Sequence, residues 1–350
     1  MSILSRRHVK RVAIQYTVLS VLCIWLVGTY TNLSIPVLVA VAIFGLPVAL
    51  VYASRRRLEK KHWVKKMVRA VQRSLPFPMR ARKVYRAWQR ADKTNWPDPK
   101  RADSGDLSRY EYELHSQHGE DGIIRYLFSR IGFTNRRFLE FGFGAVQSNS
   151  LRLMLHEQFG GLFIDGSQEQ CDFLNAGVRH FKLENVQAIP AFLNLDNLEE
   201  IINTGGLPRD LDLMSIDVDG NDYWFWEHID FLEPRVLVIE YNAMLGPELS
   251  LTIPYDKDFN FFTSEKIASG TFWGVSIAAL EKLGKRKGYR LVGCDSTGVN
   301  AFFLHHGTGT NHIATLSAAD AYRPYQELLD RGVSAEDQLA MATAMPYVEV

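Results

Sequence analysis

Carboxylates and amides recur in this chain wherever an apolar run ends. Leu211-Asp-Leu-Met-Ser-Ile216 runs into Asp217-Val-Asp-Gly-Asn-Asp222, and Arg235-Val-Leu-Val-Ile239 into Glu240-Tyr-Asn242. Gly161-Leu-Phe-Ile164 ends in Asp165, the run from Val186 to Phe192 is followed by Asn194, and Glu140 lies inside Phe138-Leu-Glu-Phe141. Side chains of this kind take a proton from a hydroxyl, accept from ribose hydroxyls, or surround a hard cation. Asp217 and Asp219 are the candidate general bases, provided that the strand ends before Val218 and the loop turns Asp219 inward. Asp217, Glu240 and Asn242 form a candidate divalent-cation set of hard oxygen ligands. Asp222 is placed to cap the helix behind the loop.

Strand ends gather such residues only if the strands are parallel neighbours. From Tyr112 onward apolar runs alternate with helical patterns, and the last two runs, Arg290–Gly293 and Val299–Leu304, are separated by only Cys294-Asp-Ser-Thr-Gly298. Five alternating strands closed by an antiparallel hairpin predict an α/β fold, a Rossmann-like seven-stranded methyltransferase sheet, with ligands at the carboxyl ends of its strands. Phe138 to Ser150 reads as a buried strand, a turn at Gly142 and Gly144, and a helix start near Leu151. Glycines there let backbone approach a ligand, and the free N–H groups of the helix start can meet a polar tail. Gln147 stands where a dinucleotide fingerprint has its third glycine. A nucleoside cofactor without a pyrophosphate, such as S-adenosylmethionine, therefore fits better than NAD or FAD.

An ordered series of segments carries a more specific likeness. Ser116-Gln-His-Gly-Glu-Asp-Gly-Ile-Ile124, Phe138-Leu-Glu-Phe-Gly142 with Ser148-Asn149, Leu162-Phe-Ile-Asp165, Ser215-Ile-Asp-Val-Asp-Gly-Asn221, Val238-Ile-Glu-Tyr-Asn-Ala243 and Gly298-Val-Asn-Ala-Phe-Phe303 together resemble the FkbM-type branch of S-adenosylmethionine-dependent methyltransferases. The resemblance covers about Leu114 to Leu304. It implies that Glu140, Gly142 and Gly144 line the methionine end of the cofactor and that Asp165 holds the ribose. Ser148, Asn149 and Asn194 complete the expected cofactor-binding set. It also implies O-methylation, including that of sugars. Ala145-Val146-Gln147 departs from the Asp-Gly often found after the second glycine. Two other classes compete. One is a membrane-tethered binding protein that keeps the fold without turnover. The other is a phosphohydrolase using the Asp217-Val-Asp-Gly loop, which that family places on its first strand and follows with a threonine where Asn221 stands.

Charge divides the chain. Residues 1–93 hold 19 basic and 2 acidic residues, and the remainder 21 basic and 37 acidic. Between Val12 and Ser54 there is no Asp, Glu, Lys or Arg, and Thr31-Asn-Leu-Ser-Ile-Pro36 interrupts the run. Val12–Tyr30 and Val37–Ala53 as helices rise about 28 and about 25 Å, near a ~30 Å hydrocarbon core. With basic clusters before and after, residues 1–54 are expected to form a two-helix transmembrane hairpin with both ends in the cytoplasm. Residues 55–93 are read as basic amphipathic juxtamembrane helices on anionic lipid, 94–111 as linker, 112–306 as the methyltransferase domain and 307–350 as a helical tail. The expected partners are a membrane lipid surface and a hydroxyl-bearing acceptor, either a glycan or lipid-linked molecule at the cytoplasmic membrane face or a small soluble molecule. No nucleic-acid reader motif accompanies the basic segment. Cys23, Cys171 and Cys294 show neither metal nor disulfide spacing.

Overall fold

The structure is a computed structural model that describes residues 77–90, 106–259, 271–308 and 313–350. The expected hairpin lies outside the described residues, and among those described no helix is long and apolar enough to cross a membrane.

The site-bearing unit runs from Ala81 to Val350. Its central strands are β1 (Arg137–Phe141), β2 (Gly160–Asp165), β3 (Val186–Pro190), β4 (Leu213–Ile216) and β5 (Val236–Glu240). A two-residue β6 (Leu251–Thr252), then β7 (Tyr289–Cys294), β8 (Asn300–His305) and a short β9 (Val348–Glu349) follow. The main sheet has the order β3-β2-β1-β4-β5-β8-β7. Its first five strands are parallel, and β8 lies antiparallel between β5 and β7. This is the mixed α/β, Rossmann-like seven-stranded sheet that the alternation predicts. The order reverses between β1 and β4, the switch point where such sheets open a crevice.

Alternation along the strands feeds two cores. Leu139, Phe141, Ile164, Met214, Ile216, Leu237 and Ile239 face one side. Phe138, Phe163, Leu213, Val236, Val238 and Phe302 face the other. Helices cover both, as a parallel sheet buried on each face requires.

The domain's edges differ from those read in the sequence. Helix α1 (Phe77–Trp88) belongs to the expected juxtamembrane segment, yet Val84, Ala87 and Trp88 are buried in the second core. Its apolar stripe is therefore covered by protein. Leu107 and Tyr110, in the expected linker, are also core residues. The tail is stitched into the domain as well. Tyr322 Oη donates to Ala243 O (2.9 Å), Gln326 N to Thr297 O (3.0 Å), and β9 pairs with β6. Gly298 permits this approach, since φ is +74° and a Cβ there would meet Arg323 O at 2.6 Å. These are long-range contacts between segments that look polar or featureless in isolation, so no local pattern announces them.

Candidate active site

Register brings the acidic residues together. Phe141, Ile216, Ile239 and Ala301 are in line across β1, β4, β5 and β8, so the next positions, Gly142, Asp217, Glu240 and Asn300, form one row. Residues in one such row share a face. A Cβ on Gly142 would come 1.5 Å from Asp217 O, and its φ is +66°, so only glycine lets β1 turn away beside β4. Beyond Ile216 the Asp222 carboxylate accepts from Val218 N and Gly220 N (both 2.9 Å) and shapes the loop. Asp219 takes a left-handed φ of +57°, an uncommon conformation outside glycine that places its side chain in the crevice. The condition set for Asp217 and Asp219 is thus met. Both line the same mouth, directly after the fourth strand.

Two adjoining cavities open there. A slot of about 320 Å³ is bounded by Gly142, Asp165, Asp219, Phe192, Leu193 and Phe259. A chamber of about 970 Å³ is lined by Glu120, Glu140, Gly144, Ser148, Asn149, Glu240 and others, and shares Gly142, Asp165, Asp217 and Asp219 with the slot. Asp165 Oδ1 accepts from Ser167 N (2.6 Å), which fixes the carboxylate at the end of β2. Phe192 is 50% exposed, an apolar surface at the slot's rim.

Glu140 lines the chamber floor, but its oxygens are committed. They accept from Ser148 Oγ (3.1 Å), Asn149 N (3.0 Å) and Ser150 N (2.8 Å). Asn149 Nδ2 in turn donates to Ser215 Oγ (3.0 Å). The turn itself closes through Gly144 N to Gln147 O and Gln147 N to Gly144 O. Trp88 Nε1 clamps it by donating to Ala145 O (2.8 Å). Gln147, at the place of the missing glycine, therefore completes a tight turn.

Two expected residues stand elsewhere. Asn194 caps the short turn before the next helix, accepting from Asp196 N and Asn197 N, and lines neither cavity. Phe192 and Leu193, nearer the end of β3, take its place in the slot. Asn242 is fully buried and spent: Oδ1 accepts from Met244 N, and Nδ2 donates to Trp273 O and Tyr347 Oη. It is not available as a cation ligand. Asp219 joins Asp217 and Glu240 instead, and one oxygen from each lies within 4.8 Å of the others. A turn residue and an inward loop residue exchanged roles, because strand-end spacing does not specify side-chain direction.

Several lining residues are not among the expected site residues, although Gln117, His118 and Glu120 lie in the Ser116–Ile124 segment that carries the family likeness. Gln117, His118 and Glu120 come from the segment before β1, Trp273 from the stretch after residue 270, and Tyr325, Gln326, Glu327 and Asp330 from the tail. Glu120 is buried, accepting from His118 N (2.7 Å) and Asn300 Nδ2 (2.8 Å). Trp224 and Trp226 are packing residues outside both cavities: Trp226 is a core side chain and Trp224 Nε1 donates to Ile253 O.

No Lys or Arg lines either cavity among the described residues. Burial, reinforced by Asp219, Asp222 and Glu140, raises Asp217 well above the ordinary carboxylate range. Burial and then Asp217 do the same to Glu240. Glu140 is pushed up to about 7 by burial, in spite of its donors. Asp222 rises to about 6 for the same first reason. Such a mouth is acceptor-rich and short of positive charge. It suits a ligand with a cationic centre, ribose hydroxyls and a flat apolar group for the slot. S-adenosylmethionine has all three, so the residues present fit that cofactor.

The chain matches no protein-family model and no curated protein. Solved structures similar to it include many S-adenosylmethionine-dependent methyltransferases. One is an O-methyltransferase from Bacillus cereus in complex with SAH, at 16% identity over 66% of this chain and 91% of that one, with a TM-score of 0.36. Another is an S-adenosylmethionine-dependent methyltransferase from Clostridium acetobutylicum, at 14% identity over 54% and 92%, with a TM-score of 0.34. A third is PKMT2 from Rickettsia typhi in complex with AdoHcy, at 11% identity over 53% of each chain, with a TM-score of 0.33. These likenesses are shallow.

Proposed function

We propose that this chain is an S-adenosylmethionine-dependent O-methyltransferase acting on a hydroxyl-bearing acceptor, a glycan or lipid-linked molecule, at the cytoplasmic membrane face. The observation that carries the reading is the cleft at the β1–β4 switch point. It joins a partly apolar slot ending at Asp165 to a carboxylate-lined chamber through the Gly142 turn. In this reading the slot between Phe192, Leu193 and Phe259 takes the adenine, and Asp165 accepts from the ribose hydroxyls. The turn at Gly142 and Gly144, with Ser148 and Asn149 held by Glu140, shapes the methionine end. The bound cofactor supplies an electrophilic methyl group. The protein's part is to align an acceptor oxygen in the chamber and take its proton on a carboxylate, Asp219 or Asp217. Burial raises the proton affinity of both carboxylates, as a proton acceptor requires.

The FkbM-type likeness supports a sugar hydroxyl as the acceptor. The uncharged run from Val12 to Ser54 and its basic flanks support a membrane tether, which raises the effective concentration of a lipid-borne acceptor. An inert binder would keep the fold and the slot, so cofactor binding and turnover have to be measured separately. Calorimetry on the detergent-solubilised full chain should give S-adenosylmethionine binding. Asp165→Ala should weaken it roughly 10- to 100-fold by removing charge-assisted hydrogen bonds. Absence of binding by the wild type would overturn the assignment.

A further inference from the structure

The chamber contains a charge problem that its own side chains leave unsolved. Asp217, Asp219 and Glu240 present one oxygen each within 4.8 Å of one another. Any two ligand oxygens are separated by at most about 4.8 Å around Ca²⁺, which holds them at roughly 2.4 Å, and by at most about 4.2 Å around Mg²⁺, which holds them at roughly 2.1 Å. The three oxygens therefore fit the shell of a single ion.

Two independent features point the same way. Glu240 Oε2 is shut off from solvent and has no hydrogen-bond donor. Asn300, directly opposite Glu240 on β8 and 3% exposed, lines the chamber with an Oδ1 that also lacks a donor. Its Nδ2 is held by Glu120 Oε1 (2.8 Å), which fixes the amide so that the oxygen is the free end. A buried acceptor without a donor costs about 1–3 kcal/mol, and more when charged. Two such atoms in neighbouring register positions lie beside two more carboxylates, with no Lys or Arg among the described lining residues. Elsewhere the protein closes such gaps with backbone N–H groups, as it does at Glu140 and Asp222. Here the loop geometry leaves the oxygens facing one another.

We propose that Asp217, Asp219 and Glu240 bind one hard divalent cation of the Mg²⁺, Mn²⁺ or Ca²⁺ class, with Asn300 lining the same chamber opposite Glu240. The proposal deepens the methyltransferase reading, in that a cation there would hold an acceptor hydroxyl and lower its pKa. The binding itself does not depend on that reading. The ligand set also differs from the one that strand-end spacing suggests, since Asp219 replaces Asn242.

The test is a Mn²⁺ titration of the full chain in detergent, without S-adenosylmethionine, following loss of the free-ion paramagnetic resonance signal. One site per chain is expected, displaced by Mg²⁺ or Ca²⁺ in competition arms. Asp219→Asn and Glu240→Gln should each weaken Mn²⁺ at least 10-fold with an unchanged circular dichroism spectrum. Asp165→Asn, in the same cleft but outside the trio, should leave Mn²⁺ affinity unchanged while impairing cofactor binding. No saturable site in the wild type, or equal Mn²⁺ affinity in wild type, Asp219→Asn and Glu240→Gln, would overturn the proposal. Because cofactor is absent, a negative result here leaves the methyltransferase assignment standing, and a failed cofactor titration leaves this one standing.

Discussion

Strand β4 has a carboxylate at each end, and the two are treated in opposite ways. Asp212, just before the strand, is fully buried and saturated. It accepts from the backbone N–H groups of Thr134, Asn135 and Arg136 and pairs with the Arg235 guanidinium at 2.8 Å. Asp217, just past the other end, faces Asp219, Asp222, Glu140 and Glu240, and no Lys or Arg is among the described residues lining its cavities. The first is a solved electrostatic problem that joins the strand to the loop before β1. The second is left open at the switch point, where a ligand can close it. Local fold stability is given up at one end of the strand and retained at the other, a pattern associated with functional sites.

The contrast is broken most severely at the saturated end. Asp212→Ala leaves three backbone donors and a guanidinium without their acceptor and should cost roughly 3–5 kcal/mol of unfolding free energy. Urea unfolding of the detergent-solubilised chain measures it, and a loss below 1 kcal/mol would dissolve the distinction. A smaller effect comes from pH. Glu140 has its pKa raised from the ordinary 4.5 to about 7, so the folded state holds its proton more tightly than the unfolded chain. Its contribution is complete below about 4.5 and lost as pH rises to about 7, amounting to at most about 3 kcal/mol. Unfolding midpoints in a chelator should decline over that window, and Glu140→Gln should flatten the slope. The least effect is expected at the open end. Asp217→Asn removes one member of a repelling group and should raise stability by about 1 kcal/mol in chelator while lowering turnover. A destabilisation as large as that of Asp212→Ala would make Asp217 a structural residue.

The strand-and-helix alternation made the sheet legible, because buried parallel strands and amphipathic helices leave different periodicities. Strand ends are where such sheets bind ligands, and that rule located Asp165, Asp217, Asp219 and Glu240 in the cleft. It failed at Asn194 and Asn242, whose types suit both ligand contact and turn capping, and here the turns took them. The tail's contribution was illegible. Tyr325, Gln326, Glu327 and Asp330 enter the chamber because Gly298, Tyr241 and Asn242 hold the tail against the strand ends, and each of those contacts is distant in sequence. Helix α1 misled for a physical reason. A basic helix with one apolar stripe has the same sequence whether lipid or protein covers the stripe, and Trp88 covers Gly177 and clamps Ala145.

The central claim is transfer of a methyl group to a hydroxyl-bearing acceptor in the acidic chamber. Membranes containing the full-length protein, incubated with radiolabelled S-adenosylmethionine, test it most directly when the wild type is compared with the Asp217→Asn, Asp219→Asn double variant. The account predicts label in an extractable lipid or polysaccharide fraction with the wild type and none with the double variant. Equal labelling by both proteins, or label entering protein or RNA instead, would contradict it.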